Sequence, residues 1–123
     1  MSGVGDQGAS AVGASAFHVC YGIRWEVDAS DAATVQMLEQ RRHPHQVAAK
    51  LHQFRVWWGA TTIEGRYYVL VGRLIGHYGW EGEPAGRLTD AEAATIILET
   101  TDRLRAAGIE GQPAWHYQFE SDQ

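Results

Sequence analysis

Residues 17–27 read FHVCYGIRWEV and decide the fold, because a large apolar residue occupies every second position. Successive side chains of a strand point to opposite faces, so this period of two is typical of a half-buried β-strand. The apolar set consists of Phe17, Val19, Tyr21, Ile23, Trp25 and Val27. We expect a central strand that turns this set toward helices, since only that register buries all six side chains at once.

The next residues predict a helix that is broken in two. Asp28, Ser30 and Asp31 offer N-cap oxygens and first-turn negative charge to a helix that runs to about Arg42. Pro44 cannot continue that helix, but it suits the first turn of another. We therefore expect a second short helix over about residues 44–53, with three apolar side chains facing inward: Val47, Leu51 and Phe54.

Two strands and a last α–β unit follow. Residues 54–63 and 66–75 are rich in β-branched and aromatic residues, and Glu64-Gly65 between them predicts a two-residue hairpin connection. Thr89 and Glu92 have the spacing of a capping box, and Gly108 is placed to end that helix. Its inward stripe should be Ala94, Ile97, Thr101 and Leu104. A final strand alternates aromatic and polar residues over positions 115–120.

The order β, α, β, β, α, β predicts the α+β class, with a four-stranded antiparallel sheet, helices on one face and the first helix broken at Pro44. Right-handed crossovers place the first and third strands at the centre of the sheet. In element order, residues 17–120 resemble ferredoxin-like domains that dimerise face to face as α+β barrels, some of which are small monooxygenases or isomerases. The resemblance implies a ferredoxin-like βαββαβ fold and covers element order alone.

Length and composition predict a single domain over residues 17–123, preceded by a flexible tail of residues 1–16 that is mostly glycine, alanine and serine. No apolar run approaches the roughly 20 residues that span a bilayer, and the tail lacks the regions of a signal peptide. The single cysteine, Cys20, agrees with a reducing compartment. We expect a cytoplasmic protein that has no contact with membranes.

The net charge of −5 argues against nucleic acid as a partner, because phosphate binding needs clustered lysine and arginine. RNA binding through sheet aromatics would require Trp57 and Tyr68 in a basic surround. We therefore expect no nucleic-acid partner.

No residue set predicts catalysis, a cofactor or a metal. His43 and His45 are separated by Pro44, and no histidine pair has metal-ligand spacing on one helix. His18 and Cys20 lie about 7 Å apart along a strand, too far for a hydrogen bond, and His116 should lie near Arg24 or Glu26 instead. A glycine-rich phosphate loop and a nucleophile elbow are both missing from the sequence. We assign no catalytic residue, no cofactor and no metal ligand.

The sheet face turned away from the helices is too apolar for a solvated surface. It carries Trp57, Tyr68 and Leu70 together with His18, Arg24 and His116. Our leading hypothesis is a non-enzymatic protein-binding or accessory module that uses this face for a partner and works as a homodimer. The alternative is a dimeric α+β-barrel protein that binds a small ligand, or an enzyme of the monooxygenase or isomerase kind, with its pocket on the same face.

Overall fold

The computed structural model describes residues 16–79 and 82–119, so all but the last residue of the predicted tail lies outside the described residues. Within these ranges the chain forms β1 (Phe17–Asp28), α1 (Ala32–Glu39), α2 (Pro44–Leu51), β2 (Arg55–Ala60), β3 (Arg66–Tyr78), α3 (Asp90–Ala106) and β4 (Ala114–Phe119). None of these helices is both long enough and apolar enough to cross a bilayer.

The strands form one antiparallel sheet in the order β2-β3-β1-β4. β1 and β3 therefore lie at the centre and β2 and β4 at the edges, as the crossover argument predicts. α2 and α3 pack on the same face, where the core consists of Ile23, Ala49, Phe54, Val71, Leu104 and Ile109. The α+β class and the four-stranded antiparallel sheet are confirmed.

The two ends of α3 form as the sequence predicts. The Thr89 hydroxyl accepts a hydrogen bond from the Glu92 backbone N–H at 3.1 Å, and the Glu92 carboxylate accepts one from the Thr89 N–H at 2.9 Å. After the helix, Gly108 takes a φ of 74°, and the Ile109 N–H donates to the Leu104 carbonyl at 3.0 Å. These bonds satisfy backbone groups that a helix end leaves unpaired.

The inward stripe of α3 differs from the prediction. Its buried residues are Ile96, Thr100 and Leu104, whereas Ala94 and Ile97 are exposed and Thr101 is half-buried. Ile96 and Ile97 are adjacent, so the apolar pattern alone allows either rotation of the helix. Arg103 lies on the same side as the buried stripe, donates to the His52 carbonyl at 2.7 Å and covers the Phe54 ring, which fixes the observed rotation.

α2 is also rotated relative to the prediction, although the break at Pro44 and the burial of Phe54 are confirmed. Val47 and Leu51 are exposed, and Gln46 is buried in their place. The Gln46 side chain accepts from the His43 N–H at 3.0 Å and donates to the Leu38 carbonyl at 3.0 Å. The Gln46 amide thus pairs one backbone group at the end of α1 and one at the start of α2. Leaving these buried groups unpaired would cost more free energy than exposing Val47.

The connection between β2 and β3 is longer than two residues, because β2 ends at Ala60 and β3 begins at Arg66. Gly65 has a φ of 84°, a conformation that favours glycine, and the Thr61 N–H donates to the Arg66 carbonyl at 3.0 Å. β3 also continues to Tyr78, beyond its predicted end. The predicted antiparallel pairing of the two strands is confirmed.

Candidate functional site

Two glycines face each other at the centre of the sheet. Gly22 of β1 pairs with Gly72 of β3. A Cβ atom on Gly22 would lie 2.1 Å from the Val71 carbonyl oxygen, and one on Gly72 would lie 2.5 Å from the Tyr21 carbonyl oxygen. Neither position has space for a side chain, and such a close approach of two backbones lets a sheet bend sharply.

The bend brings together distant parts of the face opposite α2 and α3, which we call the concave face. Trp57 pairs in register with Leu70, yet its ring lies only 5.7 Å from the ring of His18, near the other end of the sheet. Gln118 of β4 donates its side-chain N–H to the Tyr68 hydroxyl of β3 at 2.5 Å, across β1. The two edge strands therefore approach each other over the concave face.

The curl buries the middle of this face. His18 is 5% exposed and Leu70 is 1% exposed, and Cys20 is fully buried. The burial of β1 therefore differs from the prediction that all six of its apolar side chains are buried. Tyr21 and Ile23 are buried on the helix side, and the other four are only half-buried. His18 and Cys20 are buried on the concave side instead.

All six residues predicted for the partner face lie on the concave face, by strand parity and register. Four of them are reachable: Arg24 is exposed, and Trp57, Tyr68 and His116 are half-buried. The other two, His18 and Leu70, lie beneath them and support the surface from inside.

An open groove of about 960 Å³ runs between β2 and β4. Every residue from position 56 to position 63 lines one wall, and Tyr117 and Gln118 line the opposite wall. Arg24, Glu26 and Tyr68 complete the groove. Because eight consecutive residues of one strand and its following loop take part, the groove follows the edge of β2 itself.

Glu26, which lines the groove, binds two arginines: Arg24, which also lines it, and Arg66, which lies beside it. The guanidinium groups of Arg24 and Arg66 lie 3.0 and 3.1 Å from the two carboxylate oxygens of Glu26. Hydrogen bonds from these two arginines hold the pKa of Glu26 below its usual value. The Arg24 guanidinium also lies 5.5 Å from the centre of the Tyr68 ring, so it contacts both a carboxylate and an aromatic face.

Tyr68 of the groove keeps a neutral hydroxyl. Burial raises the pKa of Tyr68, and the hydrogen bond from Gln118 and the charge of Arg24 oppose that shift only in part. Tyr68 therefore contributes a polar tip on an apolar ring, a combination common at interfaces.

The cysteine of the concave face is poorly suited to nucleophilic chemistry. Burial raises the pKa of the Cys20 thiol to about 12, against an opposing effect of the Arg55 charge. The structure corrects the predicted position of His116, which pairs in register with Cys20 because β4 pairs with the first half of β1. The Nε2 atom of His116 lies 3.2 Å from the Gly22 carbonyl oxygen, and desolvation lowers the pKa of His116. A protonated thiol is a weak nucleophile.

The histidines around Pro44 have a structural role. His43 caps α2, since its Nδ1 accepts a hydrogen bond from the His45 N–H at 3.1 Å. The His45 ring stacks on the Trp25 ring, with 3.9 Å between the ring centres. Within residues 16–79 and 82–119, no group of three or more metal-ligating side chains has a geometry that could hold an ion.

Sequence reasoning missed Glu26, Tyr117 and Gln118 as groove residues. Strand alternation assigns Tyr117 to the helix side of the sheet, and only the curl brings it to the groove. The signal that could have revealed the curl is the pair Gly22 and Gly72, one in each of the two central strands.

We compared the chain with protein-family models, with curated proteins and with solved structures, and none of the three comparisons gives a match. The function must therefore be inferred from the geometry of the groove.

Proposed function

We propose that this chain is a small non-enzymatic binding module that takes a protein partner on its concave face. The observation that carries this proposal is the groove between β2 and β4, where Trp57 and Tyr68 are accessible beside the Arg24 guanidinium. Tryptophan, tyrosine and arginine are the residue types that most often dominate the binding energy of an interface.

We also propose the ferredoxin-like arrangement and a cytoplasmic location. The central position of β1 and β3 and the helix-containing connections on one sheet face support the arrangement. The free, buried Cys20 is compatible with a reducing compartment. Its high thiol pKa supports a binding role rather than cysteine catalysis.

The proposal is tested by replacing both accessible aromatic anchors, Trp57→Ser and Tyr68→Ser, in one variant. Loss of such anchors commonly costs an interface about 2 kcal/mol or more, so the variant should lose its partner. The first candidate partner is a second copy, which light scattering would detect as a mass above the 13.6 kDa of one chain. Other partners are then sought by affinity capture from cell extract.

The matched control replaces two exposed apolar residues away from the groove, Val47→Ser and Leu51→Ser. It should keep the partner, and circular dichroism should show both variants folded. A folded Trp57 and Tyr68 double variant with unchanged mass and an unchanged captured protein would refute the concave face as the working surface.

The volume of the groove favours a second candidate, the small-ligand-binding α+β-barrel protein or enzyme. About 960 Å³ lies at the upper end of the range for ligand pockets, and Arg24 and Gln118 would supply polar contacts. A small molecule that raises the melting temperature of the wild type, but not of the Trp57 and Tyr68 double variant, would favour this candidate.

A further inference from the structure

We propose that the groove binds an extended, acidic peptide segment of another protein, which adds to the free edge of β2 as an extra strand. The inference rests on the proposed function and names the class of partner. Three features of the groove support it: unpaired backbone groups, an opposite wall and a local positive charge.

The backbone of β2 offers hydrogen-bonding groups to the groove. In the part of the chain that the structure describes, β2 pairs only with β3. The hydrogen bond from the Thr61 N–H to the Arg66 carbonyl shows which residue pairs of this ladder are hydrogen-bonded. Because bonded and non-bonded pairs alternate, Val56, Trp58 and Ala60 direct their N–H and C=O groups away from β3. An extended peptide can pair with such an edge.

The opposite wall of the groove gives an added strand side-chain contacts that an ordinary exposed sheet edge would not provide. Paired strands lie about 4.8 Å apart, so a strand added to β2 would lie inside the groove and face Tyr117 and Gln118. Alternate side chains of the peptide would point toward Trp57 and Tyr68 on the concave face. The remaining side chains would point toward the other face of β2.

Charge complementarity selects an acidic segment. Arg24 lines the groove and binds Glu26 together with Arg66, which lies beside the lining residues. Because Arg66 also acts on the Asp28 carboxylate, this cluster is close to neutral. The uncompensated positive charge is that of Arg55, whose guanidinium carbon lies 5.7 Å from the centre of the Trp57 ring and has no carboxylate in ion-pair contact among the described residues. The whole chain carries −5, so attraction to an acidic segment has to come from a local positive charge of this kind.

The experiment selects binders from a random nonapeptide library displayed on phage, with the full-length chain as target. We expect enriched peptides to carry aspartate or glutamate and to lack proline at the paired positions. Their affinity should fall roughly tenfold or more for Ala60→Pro, which removes one outward N–H, and for Arg55→Gln, which removes the uncompensated charge. The control Arg73→Gln removes an arginine that pairs with Glu99 on the helix side, and it should not change the affinity.

A peptide-side variant tests the same hydrogen bonds without altering the protein. A selected peptide is synthesised with N-methyl groups on alternate backbone amides, in both phases. One phase should abolish binding and the other should leave it nearly intact, because only one edge of an added strand pairs with β2. This readout remains decisive if Ala60→Pro fails to fold.

Four outcomes would overturn the inference. They are enriched peptides without acidic residues, equal affinity for Ala60→Pro and wild type, binding seen only after deletion of residues 1–15, and a homodimer that the Trp57 and Tyr68 double variant dissociates. The last outcome would support the proposed function while assigning the groove to a second copy. If the double variant loses a captured folded partner and the library yields no peptide, the proposed function is supported and the peptide inference is overturned.

Discussion

The hydroxyl group of Thr100 shows how a single residue can oppose the stability of the core. Thr100 is fully buried in α3, and its Oγ1 has no hydrogen-bond partner among the described residues. An unpaired buried hydroxyl costs about 1–3 kcal/mol, because it loses water and gains nothing in return.

Thr100→Val should therefore raise the free energy of unfolding by about 1 kcal/mol, since valine has nearly the same shape and no hydroxyl. Urea denaturation measures the change. The control is Thr95→Val in the same helix, where the exposed hydroxyl donates to the Ala91 carbonyl at 3.1 Å and no gain is expected. A Thr100→Val variant no more stable than wild type would show that the hydroxyl is satisfied, for instance by a buried water.

At the scale of the element, α2 depends on a neutral histidine at its start. The His43 Nδ1 accepts the His45 N–H, which requires an unprotonated nitrogen. Burial lowers the pKa of both His43 and His45 below the ordinary value of 6.5. The folded chain therefore prefers the neutral rings, and the stability they contribute is fully present above pH 6.5 and is lost as the pH falls through the lowered pKa values.

The melting temperature should accordingly fall between about pH 7 and pH 5, a range in which histidines titrate and most carboxylates do not. His43→Asn keeps a capping side chain that does not titrate, so its melting temperature should fall less over the same range. His45 and His116, whose pKa values are also lowered, leave a residual slope. An equal slope in His43→Asn and in the wild type would contradict the proposed cap.

At the scale of the whole molecule, the curl of the sheet depends on the contact between Gly22 and Gly72. The bulge in β3 opposite Val19 and Cys20 adds to the same bend. Gly22→Ala should lower the free energy of unfolding by about 3 kcal/mol, because its Cβ would lie 2.1 Å from the Val71 carbonyl oxygen. Chemical denaturation measures the loss.

Gly59→Ala is the matched control for this glycine. A Cβ there would lie 3.5 Å from the Tyr68 ring, an ordinary contact, so the variant should stay within about 1 kcal/mol of wild type. Equal losses for the two variants would show that glycine flexibility, rather than close backbone approach, sets the cost at Gly22.

The candidate site is only partly readable from the sequence. Alternation places Trp57, Tyr68 and Arg24 on one face, because the period of a strand is a local property. It cannot show that Leu70 and His18 are buried on that face, since their exposure depends on how far the sheet curls. It also cannot pair His116 with Cys20, because register is set by contacts between residues far apart in the chain.

The same distinction holds for the whole chain. The sequence by itself determines β1 from its alternation, the break at Pro44 and both ends of α3 from Thr89, Glu92 and Gly108, because each follows from backbone geometry within a few residues. Only the tertiary structure decides the rotation of α2 and α3, the burial of Gln46 and the convergence of β2 and β4. Those features minimise the exposed apolar area and the unpaired polar groups of the assembled chain, and no single segment contains that information.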